Sequence, residues 1–220
     1  MSVKKAKNKK RKKKTSNYFR KLWDFLWNSN SIWSWIADII LLYIIVKFIF
    51  FPLLSLIFGT QLPSVIVESG SMEHKVTDGK LCGINFEKSG KVDFDEYWFA
   101  CGKWYEKRNI TKSQFKEWKY PNGIEVGDII IVSGRWEDNL KIGDIIIFKA
   151  NQPLPIIHRV VKIEKNFVST KGDHNIDQLP IEREISPDRI IGKAIFRIPK
   201  VGWVKLISVS YTHLTLPTKA

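Results

Sequence analysis

A serine on a tight turn is the first residue of this chain that could do chemistry. Ser71 lies in the sequence SGSM (69–72), directly after a segment at 63–68 whose composition is typical of a strand. Gly70 allows the backbone to turn tightly enough to expose the hydroxyl of Ser71. A serine held in this way can act as a nucleophile, but Ser and Gly are also ordinary turn residues. On its own, the tetrapeptide favours a plain turn.

A histidine and two aspartates farther along the chain could supply the other groups that a serine nucleophile needs. His158 lies in the apolar run IIHRVV (156–161), Asp173 lies in TKGDHN (170–175), and Asp177 follows four residues later. Peptide hydrolysis by a serine requires a base, a group that orients the base, and donors for the oxyanion. The unperturbed pKa of histidine, near ~6.5, suits proton transfer around neutral pH. Considered alone, however, a histidine in a β run is more often a packed residue than a base.

Taken together and in order, these stretches resemble the type I signal peptidases. The motifs that carry the resemblance are SGSM, a GDIII strand, HRVV and TKGD followed by Asn175. The histidine in HRVV makes the chain similar to the archaeal and endoplasmic-reticulum branch of peptidase family S26, because the bacterial branch carries a lysine there. The resemblance covers about residues 39–207.

The resemblance implies a role for each of the matched residues. Ser71 corresponds to the nucleophile, because it directly precedes the methionine, and His158 corresponds to the base. The hydroxyl of Ser69 would assist the oxyanion hole, with the backbone N–H of Ser71 as the more general donor; a simple turn hydrogen bond is an equally good interpretation of Ser69. No metal and no cofactor is required.

The acid that orients the base is less well defined by the sequence. Related enzymes carry an aspartate in the GD motif and a second one several residues later, which is often the essential one. Here we favour Asp177 as the third catalytic residue and Asp173 as a supporting residue, although the gap between them is shorter than the usual one. A second departure is His74, which stands where the family usually has a proline.

The implied function is that of a membrane-bound serine endopeptidase that removes N-terminal signal peptides from exported preproteins, cutting after small residues at −1 and −3. Its partners would be secreted preproteins and membrane lipid, with a secretion translocon or accessory subunits in addition. Two alternatives remain open: a relative that processes other specific secreted proteins, and a binding module, either a catalytically inactive homologue or an anchored β domain that holds a partner.

The charge of the chain is concentrated at its N-terminus. The formal net charge is +14, and eleven Lys and Arg residues precede the first acidic residue, Asp24. Residues 1–17 are therefore predicted to form a basic disordered cytoplasmic tail. Because the excess charge is not spread over the fold, we expect no nucleic-acid partner. Residues 18–30 have apolar residues at helical spacing and are predicted to form an interfacial amphipathic helix.

Residues 32–58 are predicted to be a transmembrane anchor. The segment 39–58 alone spans roughly 30 Å as a helix, at ~1.5 Å per residue, which is enough to cross a bilayer. It contains Lys47 and Pro52, and we expect Pro52 to kink the helix. The segment has no small-residue cleavage site at its end, so we interpret it as an uncleaved anchor. The basic residues before it place the N-terminus in the cytoplasm and the catalytic domain on the extracytoplasmic side.

The fold class predicted from the rest of the chain is mostly β: an N-terminal transmembrane helix followed by an antiparallel β signal-peptidase-like catalytic domain at 61–207 with a helical insert at 76–122. Strands are predicted at 65–67, 127–132, 143–148, 156–164, 166–170 and 190–198. The insert is rich in aromatic and charged residues, with helices predicted at 95–107 and 111–119, where Thr111 would cap the second helix. We expect the insert to be a lid or a substrate- or membrane-facing subdomain.

Three further features of the sequence lead to expectations. Cys82 and Cys101 could form one disulfide if the domain lies outside the cytoplasm, which we favour over two free thiols. Asn109-Ile110-Thr111 is an N-glycosylation sequon, relevant in the same circumstance. Residues 208–220 resemble the translation of a sequencing adapter, so we assign them no function.

Overall fold

The computed structural model describes residues 18, 20–21, 23–25, 27 and 31–203 of the chain. The predicted tail at 1–17 and the adapter-like segment at 208–220 lie outside the described residues. The same is true of part of the predicted interfacial helix at 18–30, whose described residues are helical. The chain divides into two compact units, Met1–Leu54 and Ser55–Ala220.

One helix among the described residues is long and apolar enough to cross a membrane. It extends over the 27 residues Ile32–Phe58 and includes an 18-residue stretch with a mean hydropathy of 2.6. It consists of α1 (Ile32–Ile45), one π-helical turn (Val46–Phe50) and α2 (Phe51–Phe58). The π turn ends two residues before Pro52, which has no backbone N–H to donate. The irregularity therefore lies close to the residue at which the sequence predicts a kink. Lys47 Nζ donates a hydrogen bond to the hydroxyl of Tyr43 at 3.0 Å. The ammonium group therefore has a polar partner on the same helix.

A six-stranded antiparallel sheet forms the body of the second unit. In chain order its strands are β1 (Ser64–Ile66), β6 (Ile129–Ser133), β7 (Ile145–Phe148), β8 (Ile156–Ile163), β9 (Val168–Lys171) and β10 (Ile190–Ile198). Their spatial order is β1-β6-β10-β7-β8-β9, so β1 and β9 are the edges. The strand positions agree with those expected from the sequence, and the mostly β fold class with an N-terminal apolar helix is confirmed.

The isoleucine-rich strands β6 and β7 are each preceded by a similar Gly-Asp turn. Gly127 and Gly143 have positive φ angles of 87° and 95°, which strain any residue with a side chain. In each turn the aspartate side chain accepts a hydrogen bond at 2.9 Å from the backbone N–H three residues earlier, at Glu125 and at Lys141 respectively. The turn therefore fixes where each strand begins.

The insert at 76–122 combines short hairpins with two helices. The hairpins pair β2 (Lys75–Val76) with β5 (Gly90–Lys91), and β3 (Lys80–Leu81) with β4 (Ile84–Asn85). The helices are α3 (Phe94–Glu106) and α4 (Lys112–Glu117), and a capping box begins each one, with Asp93 and Thr111 as the capping residues. Both predicted helices are present, with the cap expected at Thr111.

The insert has a hydrophobic core of its own and a covalent link. The fully buried members of that core include Tyr97, Tyr105 and Phe115. Cys82, which follows β3, forms a disulfide with Cys101 of α3. The structure thus pairs the two cysteines, which is the alternative that the sequence favoured.

Candidate active site

The turn that carries Ser71 is held on both sides by backbone hydrogen bonds. Residues Gly70–Met72 form one turn of 3-10 helix, which begins four residues after the end of β1. Met72 is buried, and its carbonyl accepts a hydrogen bond from Ile124 N at 2.9 Å. The carbonyl of Ser71 accepts another from His174 N, also at 2.9 Å. The half-buried side chain of Ser71 therefore rests on a backbone that is fixed at two consecutive carbonyls.

Strand β8 brings His158 to this turn. The Nε2 atom of His158 lies 2.8 Å from Ser71 Oγ, although the two residues are 87 positions apart in the chain. His158 pairs with Ile146 of β7 on one side of its strand, and only 3% of its surface is exposed. The ring is thus fixed by the sheet and can exchange a proton with the serine hydroxyl.

The second ring nitrogen of His158 contacts Glu182, which the sequence did not single out. Glu182 Oε1 forms a hydrogen-bonded contact with His158 Nδ1. Glu182 ends a short 3-10 turn, Pro180–Glu182, and is fully buried. Its carboxylate also accepts hydrogen bonds from Thr170 Oγ1 at 3.2 Å and from Leu179 N at 2.6 Å. Ser71, His158 and Glu182 consequently form one continuous hydrogen-bonded chain.

The two aspartates expected near the histidine ring lie elsewhere. Asp177 is exposed, and its Oδ1 accepts hydrogen bonds from Trp104 Nε1 at 2.6 Å and from Gln178 N at 2.7 Å. Asp173 is fully buried against Arg159. No hydrogen bond between either aspartate and His158 occurs in the described part of the chain. The loop after β9 leaves Asp177 exposed and brings Glu182, five residues later, into contact with Thr170 of β9. Asp173 is held instead by Arg159.

Ser69 lies beside the nucleophile on the same turn. Its Oγ accepts a hydrogen bond from the backbone N–H of Ser71 at 3.3 Å. The two candidate oxyanion donors, the Ser69 hydroxyl and the Ser71 N–H, are therefore neighbours. The arrangement is also the turn hydrogen bond that the sequence offered as the alternative.

Asp173 is the centre of a second, fully buried polar cluster. Its carboxylate accepts hydrogen bonds from Arg159 Nη2 at 2.6 Å and from Arg159 Nε at 2.9 Å. It also accepts from Tyr105 Oη at 3.2 Å, and it lies 3.2 Å from His74 Nε2. Burial alone would raise the pKa of Asp173, but the charge and hydrogen bonds of Arg159, together with the hydrogen bond from His74, hold that pKa well below its usual range.

Burial lowers the pKa of two other groups near the site. Desolvation lowers the pKa of His74, although Asp173 acts in the opposite direction. His74 is therefore a neutral imidazole near pH 7, with Nε2–H available as the donor to Asp173. Burial also lowers the pKa of Lys171 to about 8. Lys171 Nζ donates a hydrogen bond to the carbonyl of Gly172 at 3.0 Å.

Glu182 left only a weak signal in the sequence. It follows a proline that begins a short turn, a position where an acidic side chain can accept a hydrogen bond from the backbone of the same turn. That signal concerns local structure, and nothing in it indicates a contact with a histidine 24 positions earlier.

Comparison with known proteins finds similarity to catalytic subunits of signal peptidase complexes. The catalytic subunit of the signal peptidase complex of Dictyostelium discoideum is 33% identical over 100 residues, which cover 40% of this chain and 55% of that relative. The human signal peptidase complex catalytic subunit SEC11C is 31% identical over 97 residues, which cover 39% of this chain and 50% of the relative.

The chain is thus similar, over about 40% of its length, to catalytic subunits of signal peptidase complexes. It spans about half the length of the curated signal peptidase subunits that it matches. No family model matches the chain.

Proposed function

We propose that this chain is a membrane-anchored serine endopeptidase that removes N-terminal signal peptides from exported preproteins. The observation that carries the proposal is the hydrogen-bonded chain of Ser71, His158 and Glu182, with Ser71 Oγ 2.8 Å from His158 Nε2. The similarity to signal peptidase catalytic subunits supports exported preproteins as the proposed substrate class.

In the proposed mechanism His158 accepts the proton of Ser71 Oγ as the oxygen attacks the substrate carbonyl. Nε2 must be unprotonated for this step, so the proton of the neutral ring resides on Nδ1, where Glu182 accepts it. Glu182 then stabilises the imidazolium that forms and keeps the ring oriented. His158 next gives its proton to the leaving amine, and a water molecule hydrolyses the acyl-enzyme by the same sequence of proton transfers.

The oxyanion of this reaction would be stabilised from the turn itself. The Ser71 N–H and the Ser69 hydroxyl lie side by side, 3.3 Å apart, and can both donate to a substrate oxygen that lies against the turn. For this to happen, the Ser71 N–H must release Ser69 Oγ and donate to the substrate oxygen instead. Ser69 is thus proposed as a supporting donor, with Ser71 as the primary one.

The substrate would bind as an extended strand. Strand β1 is an edge of the six-stranded sheet and continues into the turn of Ser71. A peptide that pairs with an edge strand satisfies its backbone hydrogen bonds there and presents alternate side chains to the surface. A peptide paired with β1 would place the carbonyl group of its scissile bond next to the Ser71 hydroxyl. The family resemblance implies small side chains at two alternate positions before the cleaved bond, −1 and −3.

The apolar helix Ile32–Phe58 is proposed as the membrane anchor of a catalytic domain at 61–207. The N-terminus would lie in the cytoplasm, with the basic tail at 1–17 and the interfacial helix at 18–30 on that side. A signal peptide also resides in the bilayer, so anchoring both molecules raises their effective concentration. The relatives are named as subunits of a complex, and we propose accessory subunits or a secretion translocon as further partners.

Cleavage of a model preprotein in liposomes by the full-length protein tests the proposal. The wild type is compared with Ser71→Ala, His158→Ala and Glu182→Ala, and with Asp177→Ala as the matched control for removal of a carboxylate outside the hydrogen-bonded chain. Cleavage after a small residue that Ser71→Ala and His158→Ala abolish, and that Asp177→Ala retains, would support the proposal. Failure of the folded wild type to cleave several preproteins, with or without added membrane extract, would contradict it and favour a binding module.

A further inference from the structure

The helical insert makes direct contact with the residues around Ser71 and His158. Helix α3 places Tyr97, Cys101 and Tyr105 four residues apart, so all three lie on one face. The hydroxyl of Tyr97 donates to the carbonyl of Asp173 at 3.1 Å, and that of Tyr105 donates to the carboxylate of the same residue at 3.2 Å. The insert therefore holds both the backbone and the side chain of Asp173.

The same face of α3 also holds the segment that follows the nucleophile. The ring of His74 stacks on the ring of Tyr97, with centroids 3.4 Å apart and planes inclined by 6°. Because His74 also donates to Asp173, Tyr97 contacts both partners of one hydrogen bond. His74, Tyr97, Tyr105 and Asp173 are all buried, so solvent water has no direct access to replace a lost hydrogen bond.

The position of Asp173 determines the position of the catalytic groups through its two neighbours. A Cβ atom added to Gly172 would lie 2.7 Å from His158 Nε2 and 2.9 Å from the carbonyl oxygen of Ser71. His174 N donates to that same carbonyl. A shift of Asp173 therefore displaces Gly172 and His174, which both touch the Ser71–His158 pair.

Covalent structure supports this contact between the insert and the site. The disulfide between Cys82 and Cys101 links α3 to the β3–β4 hairpin, and Cys82 Sγ lies 3.5 Å from the carbonyl oxygen of Asp173. The disulfide thus fixes the face of α3 that carries Tyr97 and Tyr105 at Cys101, which lies between them.

We propose that the insert is a positioning element of the catalytic site, in which Tyr97 and Tyr105 hold Asp173 and His74 so that Ser71 stays within hydrogen-bond distance of His158. This inference rests on the proposed function for its catalytic consequence. It assigns to the insert a role other than that of a lid, because the contacting side chains form a buried core.

The test removes single hydroxyl groups and keeps the aromatic rings. Tyr97→Phe, Tyr105→Phe and the double variant are compared with Tyr120→Phe, the matched control, because the hydroxyl of Tyr120 has no hydrogen-bond partner among the described residues. We expect the double variant to lower kcat for preprotein cleavage about tenfold or more with KM within twofold, and Tyr120→Phe to leave both unchanged. Melting temperatures above the assay temperature ensure that the variants are folded.

A second readout keeps this inference separate from the proposed function. Hydrogen–deuterium exchange of the backbone amides at 69–75 and 172–175 is expected to increase in the double variant and not in Tyr120→Phe, whether or not the protein cleaves a preprotein. Exchange and kcat that both stay within twofold of wild type in a folded double variant would overturn the positioning role. A wild type that cleaves nothing while the exchange still increases would overturn the proposed function alone.

Discussion

Glu182 contacts Nδ1 of His158 from a fully buried position, 24 residues farther along the chain. Thr170 Oγ1 and the backbone N–H of Leu179 donate to the same carboxylate, so its orientation is fixed independently of the histidine. A buried carboxylate held in this way is suited to select the tautomer in which Nε2 faces the serine.

Replacing Glu182 by glutamine should therefore impair catalysis far more than replacing Asp177. The amide has the size of the carboxylate but cannot stabilise an imidazolium, and it can donate to Nδ1 and so favour the wrong tautomer. We expect kcat to fall on the order of 10³-fold in Glu182→Gln. Asp177→Asn, which changes an exposed carboxylate bonded to Trp104, should stay within a few-fold of wild type. Single-turnover cleavage of a preprotein measures both, and equal losses in the two variants would contradict the assignment.

Asp173→Asn should lower stability and activity together. Arg159 and Asp173 are both fully buried, so the substitution leaves the Arg159 guanidinium without its counter-charge. Breaking a buried ion pair from one side costs about 3 kcal/mol or more. Thermal unfolding followed by tryptophan fluorescence should show a lowered Tm, whereas Asp177→Asn serves as the control with an unchanged Tm. An Asp173→Asn protein with wild-type Tm would show that the pair is dispensable for the fold.

His74 should make stability depend on pH on the acid side. Burial lowers its pKa from the ordinary value of 6.5, so the unfolded chain binds a proton there more readily than the folded protein. The stability contributed by neutral His74 is therefore present above about pH 6.5 and is lost as the pH falls through the lower folded pKa. His74→Gln removes this titration and should flatten the profile.

The measurement is the free energy of unfolding of full-length protein in detergent between pH 4.5 and 8, with His213→Gln as a matched histidine substitution in the segment at 208–220. A wild-type profile that His74→Gln leaves unchanged would contradict the assignment.

The sequence predicts those residues of the site that belong to short sequence motifs, and it does not predict those whose role depends on the tertiary fold. Ser71 and His158 belong to short motifs, and the isoleucine runs behind Gly127 and Gly143 predict β6 and β7, because period and turn chemistry are local properties. The role of Glu182 depends instead on how the loop after β9 folds back to contact Thr170 and His158. That is a tertiary property, which no local sequence pattern encodes.

The insert illustrates the same division. The sequence predicts its helices, with Thr111 as the cap of the second, because capping and helix propensity are local properties. It does not predict Asp93 as the cap of the first helix. Its hairpins have strands of two residues each, too short for a period to appear. The contact of Tyr97 and Tyr105 with Asp173 joins residues 76 and 68 positions apart, and only the folded structure reveals it.

The disulfide should contribute measurably to stability. Cys82 and Cys101 are separated by 19 residues, and closing a loop of that length stabilises the folded state by about 3 kcal/mol in the chain-entropy model. We expect Cys82→Ser with Cys101→Ser to lower Tm, and a reductant to lower the Tm of wild type to the same value. A reductant that lowers the Tm of the double variant equally would show that its effect has another origin.

The orientation in the membrane can be tested with a sequon that the chain already contains. Asn109 is exposed in the turn between α3 and α4, and Thr111 supplies the sequon hydroxyl. If the catalytic domain lies on the extracytoplasmic side, translation in the presence of microsomes should add one glycosidase-sensitive glycan. Asn109→Gln should abolish the addition, and Thr111→Ser, which keeps the sequon, should retain it.

Protease added outside the vesicles provides the second measurement, because a translocated domain at 61–207 is protected whereas a cytoplasmic one is digested. Digestion of that domain in intact vesicles, with no glycan at Asn109, would reverse the proposed topology.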